Sequence, residues 1–285
     1  MTARPLEGLR VVSLATNIPG PLASARLYAL GASVVKIEPL RGDPLEHAAP
    51  GWYAQLCAGQ SVHRIDARSA AGGAFLSSEL ARADVFVSAM RATALERLGL
   101  GWGAVQARYP RLCHIAVFGE APPFDSRPGH DLTYQARAGL IAPPALPRTV
   151  LGDLAAAERA VSAAVAALLL RERTGQATRC DVAIVDAARD FAAPLIHGLT
   201  AATGSLGGGL ALYNVYETAQ GWIALAALEP HFIEALKTLL ESDALDAATL
   251  RARFRLRTAH EWERLANERD IPLAAVRSHG ATSCR

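Results

Sequence analysis

The stretch Leu9-Arg-Val-Val-Ser-Leu14, the turn-rich Asn17-Ile-Pro-Gly-Pro21, an Ala/Leu-rich segment to Leu30, Gly31, and a second apolar run Ser33-Val-Val-Lys-Ile37 read as strand, turn, helix, strand. Two short apolar runs joined by a helix-length segment form a βαβ unit, so the sheet starts parallel and the class is α/β. Glu38, at the tip of the second strand and roughly 20 residues beyond the first turn, stands where a dinucleotide fold places its ribose-binding acid. Only Gly20 lies in the turn, however. No bare-backbone cradle is available for a pyrophosphate, and a nicotinamide cofactor is not expected.

The alternation continues. A helix over 71–83 directs Phe75, Leu76 and Leu80 inward and precedes the strand Asp84-Val-Phe-Val-Ser88. Helical sequence from Leu95 to Tyr109 leads to Arg111-Leu-Cys-His-Ile-Ala-Val-Phe118. A helix from Asp153 to about Arg173 is Ala/Leu-rich almost all round, as expected of one packed on two sides. Gly175 stops it before a strand from Thr178 to Ile184. Residues 186–200 read as another buried helix. The glycine-rich Thr203-Gly-Ser-Leu-Gly-Gly-Gly-Leu210 then marks a change of character. Beyond it come a hairpin (Leu212 to Thr218, Trp222 to Ala226), helical segments at 230–240, 247–254 and 259–268, and a final strand near 271–276. The expected organisation is therefore a Rossmann-like large domain over 1–202, with a parallel sheet, and a smaller α+β domain over 203–285.

Composition limits the classes of function. The 285 residues are 51% hydrophobic and 20% charged, and no apolar run reaches the ~18 residues of a membrane span. The 29 Lys+Arg against 27 Asp+Glu leave a net charge of +2, too small and scattered to argue for nucleic acid. Cys57, Cys113, Cys180 and Cys284 lie far apart, and the N-terminus lacks the order of a signal peptide, which points to a reducing cytoplasm. No histidine spacing suggests a metal site.

The chemistry concentrates in Arg127-Pro-Gly-His-Asp-Leu-Thr-Tyr-Gln-Ala-Arg-Ala-Gly-Leu140. A Pro-Gly turn delivers His130 and Asp131 side by side where a helix begins, placing two titratable groups at the positive end of a helix dipole. Asp131 also reads as a plain N-cap and His130 as a loop residue on spacing alone.

Several pieces taken together resemble the family III CoA-transferases, the carnitine CoA-transferase and bile-acid-inducible group that also contains α-methylacyl-CoA racemases. They are Leu6-Glu-Gly-Leu-Arg-Val-Val-Ser-Leu14, Gly31-Ala-Ser-Val-Val-Lys-Ile-Glu38 with Gly42-Asp-Pro44, Arg82-Ala-Asp-Val-Phe-Val, Leu95-Glu-Arg-Leu-Gly-Leu100 and Tyr109-Pro-Arg-Leu112. The match runs from about Pro5 to Val276. It implies an enzyme acting on acyl-CoA, an interlocked homodimer, and coenzyme A as part of the substrate, with no permanently bound cofactor. In the transferase branch Asp131 matches the nucleophile that forms a mixed anhydride and then an aspartyl-CoA thioester. In the racemase branch His130 and Asp153 match an acid/base pair on opposite faces of the α-carbon, and Glu229, in Ala227-Leu-Glu-Pro-His-Phe232, matches a glutamate supporting the histidine.

The chain also departs from the family pattern. Leu56-Cys-Ala-Gly-Gln-Ser-Val62 carries no positive charge where relatives have a basic segment, and Ala89 and Met90 precede Arg91 where asparagine and phenylalanine are usual. Arg91 and Arg41 remain as candidate CoA ligands, and weakened CoA affinity is expected. The family's C-terminal return to the large domain is expected to be missing. The sequence favours racemase-like proton transfer at the α-carbon of a 2-methylacyl-CoA. CoA transfer through Asp131 and a non-catalytic CoA-binding or scaffold homologue are the alternatives.

Overall fold

The computed structural model describes residues 4–277. Two compact units are present, one ending at Ala192 and the other starting at Ala193.

In the first unit the opening run folds as read: β1 (Arg10–Ser13), α1 (Pro19–Ala29) and β2 (Ser33–Glu38). Short helices α2 (Pro44–Ala48) and α3 (Pro50–Cys57) then lead to β3 (Ser61–Arg64), α4 (Ala70–Leu80) and β4 (Val85–Ser88). α5 (Ala92–Arg97), α6 (Trp102–Arg108), β5 (Cys113–Phe118), α7 (Asp131–Arg137), α8 (Leu151–Thr174), β6 (Arg179–Ala183) and α9 (Ile184–Phe191) complete it. The sheet order is β3-β2-β1-β4-β5-β6, parallel throughout, with Val11 opposite both Val34 and Val85. This is the doubly wound arrangement, whose strand order reverses between β1 and β4. Apolar side chains of the central strands, among them Val12, Phe86 and Ile115, are sealed by helices on the two faces. α8 buries an alanine row, Ala156, Ala157, Ala160, Ala164 and Ala167, because only small side chains let its backbone approach α1 and β5 closely. Gly175, at φ 75°, ends it in the left-handed conformation that glycine adopts without strain.

Gly20 has a packing explanation. A Cβ there would lie 2.0 Å from Cβ of Ala15, so the start of α1 needs a glycine for close approach to the β1 loop. Glu38 is likewise committed elsewhere. It is buried and bonded to Lys36, to Tyr53 Oη at 2.7 Å and to Arg64 at 3.4 Å, which leaves no carboxylate facing a ribose.

In the second unit α10 (Ala193–Ile196) and a glycine-rich turn at 205–209 precede β7 (Tyr213–Glu217), β8 (Trp222–Ala226), α11 (Pro230–Leu240), α12 (Ala247–Phe254), α13 (Ala259–Asn267) and β9 (Leu273–Ala275). The three strands form an antiparallel sheet, β7-β8-β9. Its core is Tyr216, Ile223, Leu225, Leu236, Phe254 and Trp262, whose indole donates to the Phe254 carbonyl at 2.8 Å.

The helix expected over 186–200 is not continuous. It ends at Phe191, with Ala192 as its C-cap, and resumes as a single exposed turn, since Pro194 has no N–H to continue the ladder and Gly198 takes φ 80°. The division between units accordingly falls ten residues before the 202/203 boundary expected from the glycine run, and His197 is exposed rather than buried.

Candidate active site

The loops after β1, β4 and β5 converge at the point where the strand order reverses, which is where doubly wound sheets form a crevice. Thr16 and Asn17 come from the first loop, Ala89, Met90 and Arg91 from the second, and Gly119 from the third. With His130, Tyr134 and Asp153 they line a cleft of about 190 Å³. A second cavity of about 490 Å³ adjoins it and is more apolar, with Ile18, Leu45, Leu132, Leu146 and Val150 in its wall. Asn17, His130 and Asp153 belong to both. Asn17 has the left-handed φ of 68°, held by its N–H donating to Asp43 Oδ1 at 2.9 Å.

The two aspartates differ sharply. Asp131 is the first residue of α7 and is buried, and both its oxygens are occupied. Gln135, one turn on, donates to Oδ2 at 2.6 Å, and the backbone N–H of Asp153 donates to Oδ1 at 3.0 Å. Gln135 also donates to the Thr149 carbonyl at 2.9 Å, which pins the segment leading into α8. A Cβ on Gly152 would come within 3.0 Å of Asp131 Oδ1, so the Gly152-Asp153 pair lets the carboxylate reach the helix terminus. Asp131 thus satisfies one of the N–H groups that the first turn of a helix leaves free.

Asp153 sits in that first turn, partly buried, and among the described residues its own carboxylate accepts no hydrogen bond. Burial first, and the nearby charge of Asp131 second, push its pKa up to about 7. His130 is the exposed N-cap of α7, and Thr133 closes the turn by accepting from the His130 N–H at 3.2 Å and donating to its carbonyl at 2.8 Å.

Arg91, Arg41 and Glu229 are the remaining expected residues. Arg91 is exposed at the rim of the smaller cleft and makes no ion pair among the described residues, whereas Arg41 is exposed in the Pro39–Gly42 turn and lines neither cavity. Glu229 belongs to the second unit, exposed at the N-cap of α11, with no cap hydrogen bond from its side chain. Among the described residues no cluster of His, Cys, Asp and Glu has the makings of a metal site. Among the described residues no helix is long and apolar enough to cross a membrane. Cys57, Cys113 and Cys180 are free thiols, and Cys284 lies outside the described residues.

Sequence reasoning passed over Tyr134 and Gln135. Gln135 carried a readable signal, being four residues after Asp131 on one helix, a spacing at which the two side chains meet. Tyr134 did not, because what singles it out is contact with Gly119 and Gly129, distant or unremarkable in sequence.

Fold and cleft together define an α/β protein with a carboxylate and a histidine at its switch point. The chain belongs to CoA-transferase family III, whose model matches residues 6–283. It is 31% identical over 248 residues to succinyl-CoA–D-citramalate CoA-transferase of Chloroflexus aurantiacus, covering 79% of this chain and 62% of that one. It is 29% identical over 263 residues to human α-methylacyl-CoA racemase, covering 84% of this chain and 66% of the relative. The chain therefore spans slightly less than two thirds of the length of these relatives. A crystal structure of a hypothetical protein from Mycobacterium tuberculosis superposes with a TM-score of 0.84 at 27% identity, covering 97% of this chain and 84% of that one.

Proposed function

We propose that the protein is an acyl-CoA-processing enzyme in which Asp153 and His130 exchange the α-proton of a 2-methylacyl-CoA. The observation that carries this reading is the state of Asp153, a carboxylate with no hydrogen-bond partner among the described residues and a pKa near 7, in two cavities it shares with His130. A group that titrates close to neutrality serves equally as acid and base. Asp153 takes the α-proton, the C–H pair moves into the thioester as an enolate, and His130 returns a proton from the other side; the reverse direction exchanges the roles. The small polar cleft and the larger apolar one are suited to the thioester and the acyl chain respectively.

A second reading is CoA transfer. The free oxygens of Asp153 favour it, as do relatives named as CoA-transferases. In that case Asp153 is a better nucleophile than Asp131, whose two oxygens already accept hydrogen bonds that hold α7 against α8. Glu229 is retained, on the resemblance alone, as the candidate support for His130, and Arg91 as the candidate phosphate ligand, whereas Arg41 lines neither cavity. A homodimer in the cytoplasm is part of the proposal, supported by the resemblance, by exposed Leu169 and Leu170 on α8, and by the free thiols.

Incubation with chiral 2-methylacyl-CoA in heavy water separates these readings. Proton transfer predicts deuterium at the α-carbon without an acceptor acid. Transfer predicts no exchange, a requirement for a second carboxylic acid, and an enzyme-bound thioester trapped by hydroxylamine at Asp153. A protein that does neither is the non-catalytic homologue.

A further inference from the structure

Tyr134 has no part in the steps above, yet its placement is tightly specified. The ring is only 6% exposed and still lines the smaller cleft beside His130 and Asp153. Two glycines enclose it. A Cβ on Gly119, just after β5, would stand 2.4 Å from Tyr134 Oη, and one on Gly129, just before α7, would stand 2.4 Å from Cε1 and 2.9 Å from Oη. Bare backbone on two sides is what allows a phenol to occupy this position. A buried tyrosine hydroxyl ordinarily finds a partner, but among the described residues this one has none and is not sealed from the cleft. Burial and the charge of Asp153 raise its pKa, so at neutral pH the group is a hydrogen-bond donor.

We propose that Tyr134 Oη donates a hydrogen bond to the thioester carbonyl oxygen of an acyl-CoA bound in this cleft, and so is a further catalytic residue. The inference rests on the acyl-CoA reading but not on the choice between its two chemistries. Loss of the α-proton sends the C–H electron pair through the thioester onto that oxygen. Attack by the Asp153 carboxylate forms a C–O bond and sends the carbonyl π pair to the same oxygen, before the C–S bond breaks and CoA thiolate leaves. Either way, negative charge grows on one atom, and a donor already fixed by packing stabilises it without reorganising. Arg91 and Arg127 also line the cleft, but both guanidiniums are exposed, and Arg127 is stacked 3.8 Å above Phe124, which suits them to phosphate or carboxylate groups at the rim.

Tyr134→Phe keeps the ring between its glycines and removes only the donor. Calorimetry would compare a 2-methylacyl-CoA with the matching S-alkyl-CoA thioether, which lacks the carbonyl oxygen. The expected result is thioether affinity unchanged, acyl-CoA affinity lowered by about 2- to 12-fold, melting temperature unchanged, and turnover down on the order of 10²-fold with KM raised only as far as the acyl-CoA affinity falls. Should Tyr134→Phe fail to fold, 3-fluorotyrosine at position 134, a stronger donor of nearly the same shape, must tighten acyl-CoA but not the thioether. Equal loss of both ligands, no loss of either, or turnover within threefold of wild type overturns the proposal. A wild-type protein that binds neither ligand overturns the acyl-CoA reading and this inference with it, whereas one that binds both but loses selectivity for neither in the variants overturns this inference alone.

Discussion

Two clusters of carboxylates lie near the same end of the first unit and have opposite fates. In one, Lys36, with no exposed surface, bonds both Glu38 and Asp43, the latter at 2.8 Å, while Tyr53 and Arg64 complete the shell of Glu38. Burial by itself would raise the Glu38 pKa, but the hydrogen bonds of Lys36 and Tyr53 and the Lys36 charge more than reverse this and hold it below the ordinary range. In the other, Asp153 sits beside Asp131 with no cation bonded to it among the described residues, and its pKa rises to about 7. A buried carboxylate whose charge is balanced stays ionised and holds structure, and one left unbalanced keeps a proton to exchange. The clusters are connected, since Asp43 also fixes the Asn17 backbone at the edge of the cleft. The paired cluster thereby shapes a wall of the unpaired one.

The largest expected effect tests the unpaired side. Asp153→Asn should lower proton exchange or transfer by up to about 10⁴-fold while leaving the melting temperature unchanged or raised, because it removes a poorly compensated charge. Steady-state turnover and thermal denaturation of the same sample decide it. Loss of folding with Asp153→Asn would place Asp153 among the structural carboxylates and break the contrast.

Lys36→Met tests the paired side. It leaves Glu38 and Asp43 buried without their cation and should cost about 3–5 kcal/mol of stability, read by urea denaturation, with turnover per folded molecule affected far less. A near-neutral effect on stability would mean that the cluster is not held by its charges.

Much of this contrast was invisible in the sequence, for reasons that particular residues make clear. β1, β2, β4 and β5 were legible because buried parallel strands carry near-continuous apolar runs such as Val85-Phe-Val87. β3 was not, because Ser61-Val-His-Arg64 is a largely exposed edge strand with no apolar alternation. The break at Ala192 is hard to read from sequence because the alanine content around it favours helix and masks the effect of Pro194. His130, Asp131 and Asp153 stand out in the sequence, but spacing cannot tell which carboxylate has free oxygens. That depends on Gln135, on the Asp153 N–H and on the lone Cα of Gly152, which come together only in the folded chain. Lys36 read as one more strand residue, although a lysine within an apolar run must find a buried partner.

The titration of Asp153 also has a thermodynamic signature. Its folded-state pKa, about 7, lies above the unfolded value of 3.8, so the folded protein binds the extra proton in that interval. Its contribution to stability is therefore fully present below about pH 4 and is lost as the pH rises through 7. Glu38 runs the other way, its contribution being present above the ordinary glutamate range and lost as the pH falls. The most direct test of the account is to observe the group itself, by NMR titration of the carboxyl carbons in protein labelled at aspartate. A signal inflecting near pH 7, absent in Asp153→Asn and moved to lower pH in Asp131→Asn, is the predicted result. An Asp153 carboxyl that titrates near pH 4 like an exposed aspartate would contradict it.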